Sequence, residues 1–424
     1  MNISVTKENF LDALGIVGSL ENRKSPIPFE KCVKITANED GTVELVVHNI
    51  ESWARDYITM EYDRVNSPGV VVVPIKELKA IVKSVSKKQE INIYTDKSGS
   101  VFISWLGIKQ MIEYYNPEEY PIREDVVSES ESISIPNLYQ MLSKTSFAVS
   151  TDLTRGSLDY AFLECTKSSP NLNGYLSLTA TNGHILSSFG VDSGKDQSIK
   201  LPEGTGDGRN GIFVSRDVIN LILKSKKFLA DQPCTITYHQ NKEKNTNSYM
   251  IDYGTLRIVW RVEDLSFPRY QQIIPNPEVS AVINTKKFLN ILSYMKNSVD
   301  TINWGVELTF VDNAILRVRA NNNRQVTVET FIAVSWGGRH GFAVGFNVNY
   351  LIDFLNIIET EMFSFGLVSN VSASKIQEIP TNGEKGTMLG IVMPLRLENS
   401  GGACVYAKVS KDEEETTTET KEGE

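Results

Sequence analysis

The chain has 424 residues, 41% hydrophobic and 22% charged, a length better suited to three cores than to one. Its 43 basic and 52 acidic residues leave a formal charge of −9, which over the whole chain argues against nucleic acid as a partner. No apolar stretch approaches the ~20 residues of a membrane helix, no basic-then-apolar leader opens the chain, and Cys32, Cys165, Cys234 and Cys404 never form a Cys-x-x-Cys pair. A cytoplasmic protein without membrane, zinc site, disulfide framework or cofactor is expected.

In chain order, the first expected element is a helix with apolar Phe10, Leu11, Leu14 and Val17, the spacing of a buried stripe. A strand follows over residues 41–49, with Val43, Leu45 and Val47 on one face. The run Gly69 to Val73 ends at Pro74, and a second helix carries Leu78, Ile81 and Val82. Strands are expected at Glu90 to Tyr94 and Ser100 to Trp105, joined by the polar turn Asp96 to Gly99.

The series then recurs. A helix with Leu138, Met141 and Leu142 precedes a strand from Gly174 whose Leu176, Leu178 and Ala180 share a face before it breaks at Asn182-Gly183. Ile219, Ile222 and Leu223 mark the next helix, and strands follow at Cys234 to Tyr238 and Thr255 to Trp260. In the last third, Phe288, Leu289, Leu292 and Met295 mark a helix, Leu316, Val318 and Ala320 a strand, and Leu351, Phe354 and Leu355 the closing helix. Asn49, Asn182 and Asn322 are separated by 133 and 140 residues, and the second helices by 141 and 132, so two independent sets of landmarks describe one unit written three times. The fold class is α+β, with two helices packed on antiparallel sheet in each copy. Polar stretches near Glu124 to Ser132 and Pro275 to Val279 place the domains at 1–127, 131–277 and 278–398. Residues 399–424 form an acidic low-complexity tail expected to be disordered.

The charge is unevenly placed. From Glu398 onward eight acids face three lysines, so the rest of the chain is near −4. The solvent faces of the helices are expected to carry Lys7, Arg23, Lys24, Lys76, Lys79, Lys83, Lys87 and Lys88 in the first copy, Lys144, Arg216, Lys224, Lys226 and Lys227 in the second, and Lys286, Lys287 and Lys296 in the third. The last helix departs from this, with Asp353, Glu359 and Glu361.

Four ordered stretches carry a family resemblance: Ser146 to Asp159; Leu178-Thr-Ala-Thr-Asn-Gly-His184; Phe267-Pro-Arg-Tyr through Pro275; and Phe346 to Leu355 with Val392-Met-Pro-Leu-Arg-Leu397. Together they resemble the bacterial DNA polymerase III beta subunit, the beta sliding clamp family. That resemblance implies three clamp domains forming half of a head-to-tail homodimeric ring, with helices lining the hole. It implies a non-catalytic processivity factor that holds double-stranded DNA without reading sequence, through Arg23, Lys24, Lys76 and Arg216. It also implies a peptide cleft for the replicative DNA polymerase, the clamp loader and other clamp-binding proteins. Carried over by position, the cleft comprises Arg155, Leu158, Thr181, Gly183, His184, Leu186, Pro268, Ile273, Tyr350, Val371, Met393, Pro394, Leu395 and Arg396. Ile185 and Gln272 stand where the family usually has basic residues, so peptide preference is expected to differ, and the tail extends past the family's usual end.

Two other readings bear on function. A clamp-like paralogue of a mobile element or phage would keep the fold and change the partners. A dinucleotide-dependent oxidoreductase would need Gly206-Asp-Gly-Arg-Asn-Gly211 to open a helix, whereas Ile212-Phe-Val continues it as a strand. No Walker loop, metalloprotease motif or nucleophile elbow is present, and the four histidines do not cluster in sequence, so an enzyme is not expected.

Overall fold

The computed structural model describes residues 1–59, 65–87, 89–121, 130–166, 175–192, 200–202, 209–225, 233–241, 246–263, 265–321, 327–379 and 386–396. The tail from 399, Lys88, Lys226, Lys227 and the first half of the Gly206 motif lie outside these residues. Gly211 opens a strand, as the sequence implied.

The first copy runs β1 (Asn2–Thr6), α1 (Lys7–Val17), β2 (Cys32–Ala37), β3 (Thr42–His48), β4 (Ser52–Thr59), β5 (Val65–Ser67), β6 (Gly69–Pro74), α2 (Ile75–Ser84), β7 (Glu90–Thr95), β8 (Val101–Trp105) and β9 (Ile108–Ile112). The second runs β10 (Glu131–Ile135), α3 (Leu138–Thr145), β11 (Tyr160–Thr166), β12 (Tyr175–Thr181), β13 (Ile185–Asp192), β14 (Gly211–Ser215), α4 (Arg216–Lys224), β15 (Cys234–Asn241), β16 (Thr246–Tyr253) and β17 (Leu256–Val262). The third runs β18 (Val279–Asn284), α5 (Thr285–Met295), β19 (Gly305–Phe310), β20 (Ile315–Asn321), β21 (Thr327–Trp336), β22 (Phe342–Asn347), α6 (Val348–Ile357), β23 (Met362–Leu367), β24 (Ser374–Glu378) and β25 (Gly386–Val392). Apart from the short β5, the order of elements is the same three times.

The pairing repeats as faithfully as the order. Each opening strand lies antiparallel to the strand after the second helix: β1 to β7, β10 to β15 and β18 to β23. The strand before each second helix pairs with the one after the first helix: β6 to β2, β14 to β11 and β22 to β19. The period-two face of the central strand explains this closure, because its alternate residues enter the core. Val43, Leu45 and Val47 are fully buried, as are Leu176, Leu178 and Ala180, and Leu316, Val318 and Ala320.

Three helices, α4, α5 and α6, start where the sequence supplies a capping acceptor. Ser215 Oγ accepts from the Val218 amide, Asn284 Oδ1 from Lys287 and Asn347 Oδ1 from Asn349, satisfying first-turn N–H groups that lack helical partners. Their apolar stripes then face inward: Phe10, Leu14 and Val17 on α1, Val218, Ile219 and Ile222 on α4, and Phe288, Leu292 and Met295 on α5. Gly183 turns the chain between β12 and β13 with φ 88, a backbone region where a side chain would be strained.

The chain divides into two compact units. The first comprises 1–182 and 188–268 and holds the first two copies; β17 pairs β4, so one sheet runs β10-β15-β16-β17-β4-β3-β2-β6 through both. A second sheet of this unit runs β5-β1-β7-β8-β9. Its helices form a row, α2 beside α1, α1 beside α4 and α4 beside α3. Aromatic packing anchors the second copy: Trp260 is buried, stacks on Tyr249 with centroids 5.2 Å apart, and donates from Nε1 to the Phe213 carbonyl at 2.8 Å. The second unit comprises 183–187 and residues from 269 onward. In it α5 packs on α6, and Phe310 stacks on Trp336 at 4.2 Å.

Candidate nucleic-acid and peptide surfaces

The candidate DNA-facing residues lie in the first unit, along its row of helices. Arg23 and Lys24 stand exposed on the turn after α1, Arg23 donating from Nε to Glu21 at 3.1 Å. Lys76 is exposed on the first turn of α2, in one stripe with Lys79 and Lys83. Burial lowers the Lys79 pKa, Glu21 opposes that shift, and Lys224, Arg23 and Lys83 add to it. This mutual influence brings α2, α4 and the turn after α1 into one cationic patch. Lys83 and Lys224 therefore belong with the candidate set, which motif matching did not single out; the available signal was a basic residue in the last turn of the second helix of the first two copies.

Several lysines expected on the offered faces serve the fold instead. Lys7 Nζ donates to the Lys83 carbonyl at 2.9 Å and to the Val85 carbonyl, capping the end of α2. Lys79 Nζ donates to the Gly18 carbonyl at 3.3 Å, capping the end of α1. Lys144 is buried. The exposed face of α1 carries Glu8, Asn9 and Asp12, so this helix adds no cation of its own.

Arg216, the first residue of α4, is half-buried. Its Nη1 lies 3.4 Å from Asp159 Oδ1 and donates to the Ser150 carbonyl at 3.2 Å. Around it, Asn49 Nδ2 donates to Asp217 Oδ2 at 2.9 Å and Tyr160 Oη to Glu51 Oε2 at 2.9 Å. The Arg261 amide donates to the Glu51 carbonyl at 2.9 Å. These contacts tie the β3–β4 turn of the first copy to β11, α4 and β17 of the second. Burial pushes the Asp159 carboxyl up to about 6, Arg216 pulls it down, and Asp217 and Glu51 push it further up.

The candidate peptide residues fall in both units. In the first, Arg155 is exposed, its Nη1 donating to the Asn182 carbonyl at 2.9 Å, and its Nε donating to Asp152 at 3.3 Å. The Leu158 carbonyl accepts from the Ser150 amide at 2.9 Å; Thr181 is buried and Pro268 exposed. In the second, the His184 ring stacks on Tyr350, centroids 6.2 Å apart and planes 17° from parallel. The His184 carbonyl accepts from the Met393 amide at 2.9 Å, and the Leu395 amide donates to the Gly345 carbonyl at 2.8 Å, setting Met393-Pro394-Leu395-Arg396 beside β22. His184 thus contributes its main-chain carbonyl to the Met393 segment and an exposed ring to an aromatic neighbour. Gly183 is exposed and Leu186 buried. Ile273, Val371 and Met393 are 53%, 60% and 40% exposed, unusual values for large apolar side chains collected in one unit. Ile185 is buried, so its side chain takes no part in the surface. Gln272 is exposed beside Ile273.

Among the described residues no three His, Cys, Asp or Glu side chains are grouped to hold a metal ion, and no helix is long and apolar enough to cross a membrane.

The chain is similar to known proteins along nearly its whole length. Residues 271–394 match the family described as DNA polymerase III beta subunit, C-terminal domain. The beta sliding clamp of Pseudomonas aeruginosa is 24% identical over 407 residues, covering 94% of this chain and 100% of the relative. That of Rickettsia bellii is 23% identical over 414 residues with the same coverage. Among solved structures, the P. aeruginosa clamp bound to griselimycin aligns with TM-score 0.73 at 22% identity, covering 94% of this chain and 100% of that one. The C. crescentus beta sliding clamp aligns with TM-score 0.76 at 18% identity, covering 94% and 99%. With its thrice-repeated topology and its match along nearly the whole length of these relatives, the chain has the fold of the beta sliding clamps and is similar to them, and its residues 271–394 match the C-terminal domain of the DNA polymerase III beta subunit.

Proposed function

We propose that the chain is a non-catalytic sliding clamp: a homodimeric ring that encircles duplex DNA and tethers the replicative polymerase, the clamp loader and other proteins through a short peptide. The domains are 1–127, 131–277 and 278–398. The observation that carries this reading is a pair of sheet edges that, among the described residues, have no strand partner. Within the first unit, the last strand of the second copy pairs with the fourth strand of the first, Leu256 opposite Asp56 and Arg257 opposite Arg55. The equivalent last strand of the first copy, β9, and the equivalent fourth strand of the third copy, β21 over Thr327–Phe331, have open outer edges. Exposed apolar side chains stand at both: Ile108 and Met111 on β9 are 51% and 63% exposed, Leu106 in the turn before it 76%, and Phe331 on β21 57%. Such edges invite another strand.

The internal repeat also supplies a register. Ile108 corresponds to Leu256 by hairpin position, and Thr330 to Asp56. A β9–β21 pairing between two copies would therefore place Ile108 opposite Thr330, Lys109 opposite Glu329 and Met111 opposite Thr327. Opposite charges meet where the internal junction has two arginines. Two such junctions close a ring of six domains, because each copy offers one edge of each kind.

DNA then meets the patch of Arg23, Lys24, Lys76, Lys83 and Lys224, with Arg216 beside it, in contacts that any phosphate satisfies. The partner peptide lays apolar side chains against Met393, Ile273 and Val371 of the second unit, which also carries the His184–Tyr350 stack, with Arg396 available to its carbonyls. The test is retention on DNA after loading: a ring stays on a nicked circle and runs off the same DNA once linearised. Equal loss from both, or a monomer at micromolar concentration, overturns the reading.

A further inference from the structure

The cluster around Arg216 holds more negative charge than its one guanidinium can balance. Glu51 from the β3–β4 turn, Asp159 at the head of β11 and Asp217 on α4 all act on this junction; Lys224, two turns along α4, lies near Asp217, and the Tyr160 hydroxyl is committed to Glu51. Asp217 has Asn49 as a donor and Glu51 has Tyr160, whereas Asp159 has Arg216 at 3.4 Å, a separation long for a hydrogen bond. Arg216 itself keeps about a quarter of its side chain in solvent, at the start of a helix in the row that carries the cationic patch. An arginine held by one loose carboxylate and one carbonyl at the rim of such a patch can exchange partners without uncovering an apolar surface.

We propose that Asp159 holds Arg216 in reserve, and that a DNA phosphate draws the guanidinium away from it. The inference rests on the sliding-clamp reading and adds a positioning residue to it. Charge balance gives the exchange a second signature. When Arg216 turns to the phosphate, Asp159 is left with Asp217 and Glu51 as its charged neighbours, and it takes up a proton from solvent. Burial has already pushed that carboxyl up to about 6, so the uptake falls near neutral pH. DNA binding by the intact protein therefore tightens as pH falls from 8 to 6, and part of that dependence belongs to this one carboxylate.

The experiment measures binding of a fluorescein-labelled linear duplex by anisotropy at low salt, for the full chain and for Asp159→Asn and Arg216→Ala, between pH 5.5 and 8.5. Asp159→Asn should tighten binding about two- to fivefold at pH 8, the range of a partly exposed ion pair, and the gain should vanish by pH 5.5. Titration calorimetry at pH 7 in buffers of different ionisation enthalpy should show proton uptake by the intact protein and less by Asp159→Asn. If Arg216→Ala weakens binding while Asp159→Asn leaves it unchanged, or weakens it equally at every pH, the reserve role is wrong and the clamp reading stands. If the intact protein does not bind the duplex and is not retained on a nicked circle, the clamp reading itself fails.

Discussion

Replacing Phe331 by aspartate tests the ring most directly. The side chain is 57% exposed in the single chain, so the change leaves the core of the third copy intact. Full burial of a phenylalanine contributes roughly 1.5 to 3 kcal/mol, so covering the exposed half is worth about 1 kcal/mol at one junction. A ring of two copies has two junctions and the substitution acts at both, for about 2 kcal/mol, or roughly a 30-fold weaker dimer. Sedimentation equilibrium over a concentration series should show that shift, with the monomer's far-ultraviolet dichroism and melting unchanged. A dimer within twofold of the parent would remove β21 from the interface. So would weakening accompanied by loss of monomer stability, since the effect would then lie in the fold.

Three further outcomes follow from other parts of the molecule. Lys109→Glu and Glu329→Lys should each weaken the dimer, and the double reversal should restore most of it; a strictly additive loss would refute the proposed register. Trp260→Phe removes the donor to the Phe213 carbonyl and leaves a gap beside Tyr249, so urea unfolding should report a loss of about 2 to 3 kcal/mol. Asp159 is raised in the folded chain to about 6 from 3.8, so its ionised form opposes folding above pH 6, and that cost fades as pH falls toward 4. The two-unit shift corresponds to about 3 kcal/mol before solvent screening and to roughly 1 kcal/mol after it. Asp159→Asn should accordingly be the more stable protein at pH 8 in urea titrations, with its advantage gone at pH 4; a constant loss at all pH values would mean that the Arg216 pair dominates.

The fold was legible because its signals are local and repeated. Alternation in Val43-Leu45-Val47, Leu176-Leu178-Ala180 and Leu316-Val318-Ala320 shows directly which face is buried, and Asn182-Gly183 marks the turn. Capping residues such as Ser215 and Asn284 fix where helices begin. The functional surfaces were less legible because charge in a sequence has no direction. Lys7 and Lys79 have the same composition and spacing as Lys76 and Lys83, yet their long side chains reach across to carbonyls at helix ends. Arg216 could be placed by its motif, but the acids around it come from positions 51, 159 and 217 and meet only through tertiary structure. The open edges of β9 and β21 were equally hidden, since a strand carries no mark of whether its outer side is paired.

Five residues, Gly183–Ser187, belong to the second unit although the chain on both sides of them belongs to the first. The second unit is therefore not a contiguous piece of polypeptide. A fragment cut at residue 269 would keep α5, α6 and all eight of their strands but lose the carbonyl that receives the Met393 amide and the ring that lies on Tyr350. Dissection of this protein by truncation would thus leave the proposed peptide surface short of contacts it has in the intact chain, for reasons unrelated to the residues retained.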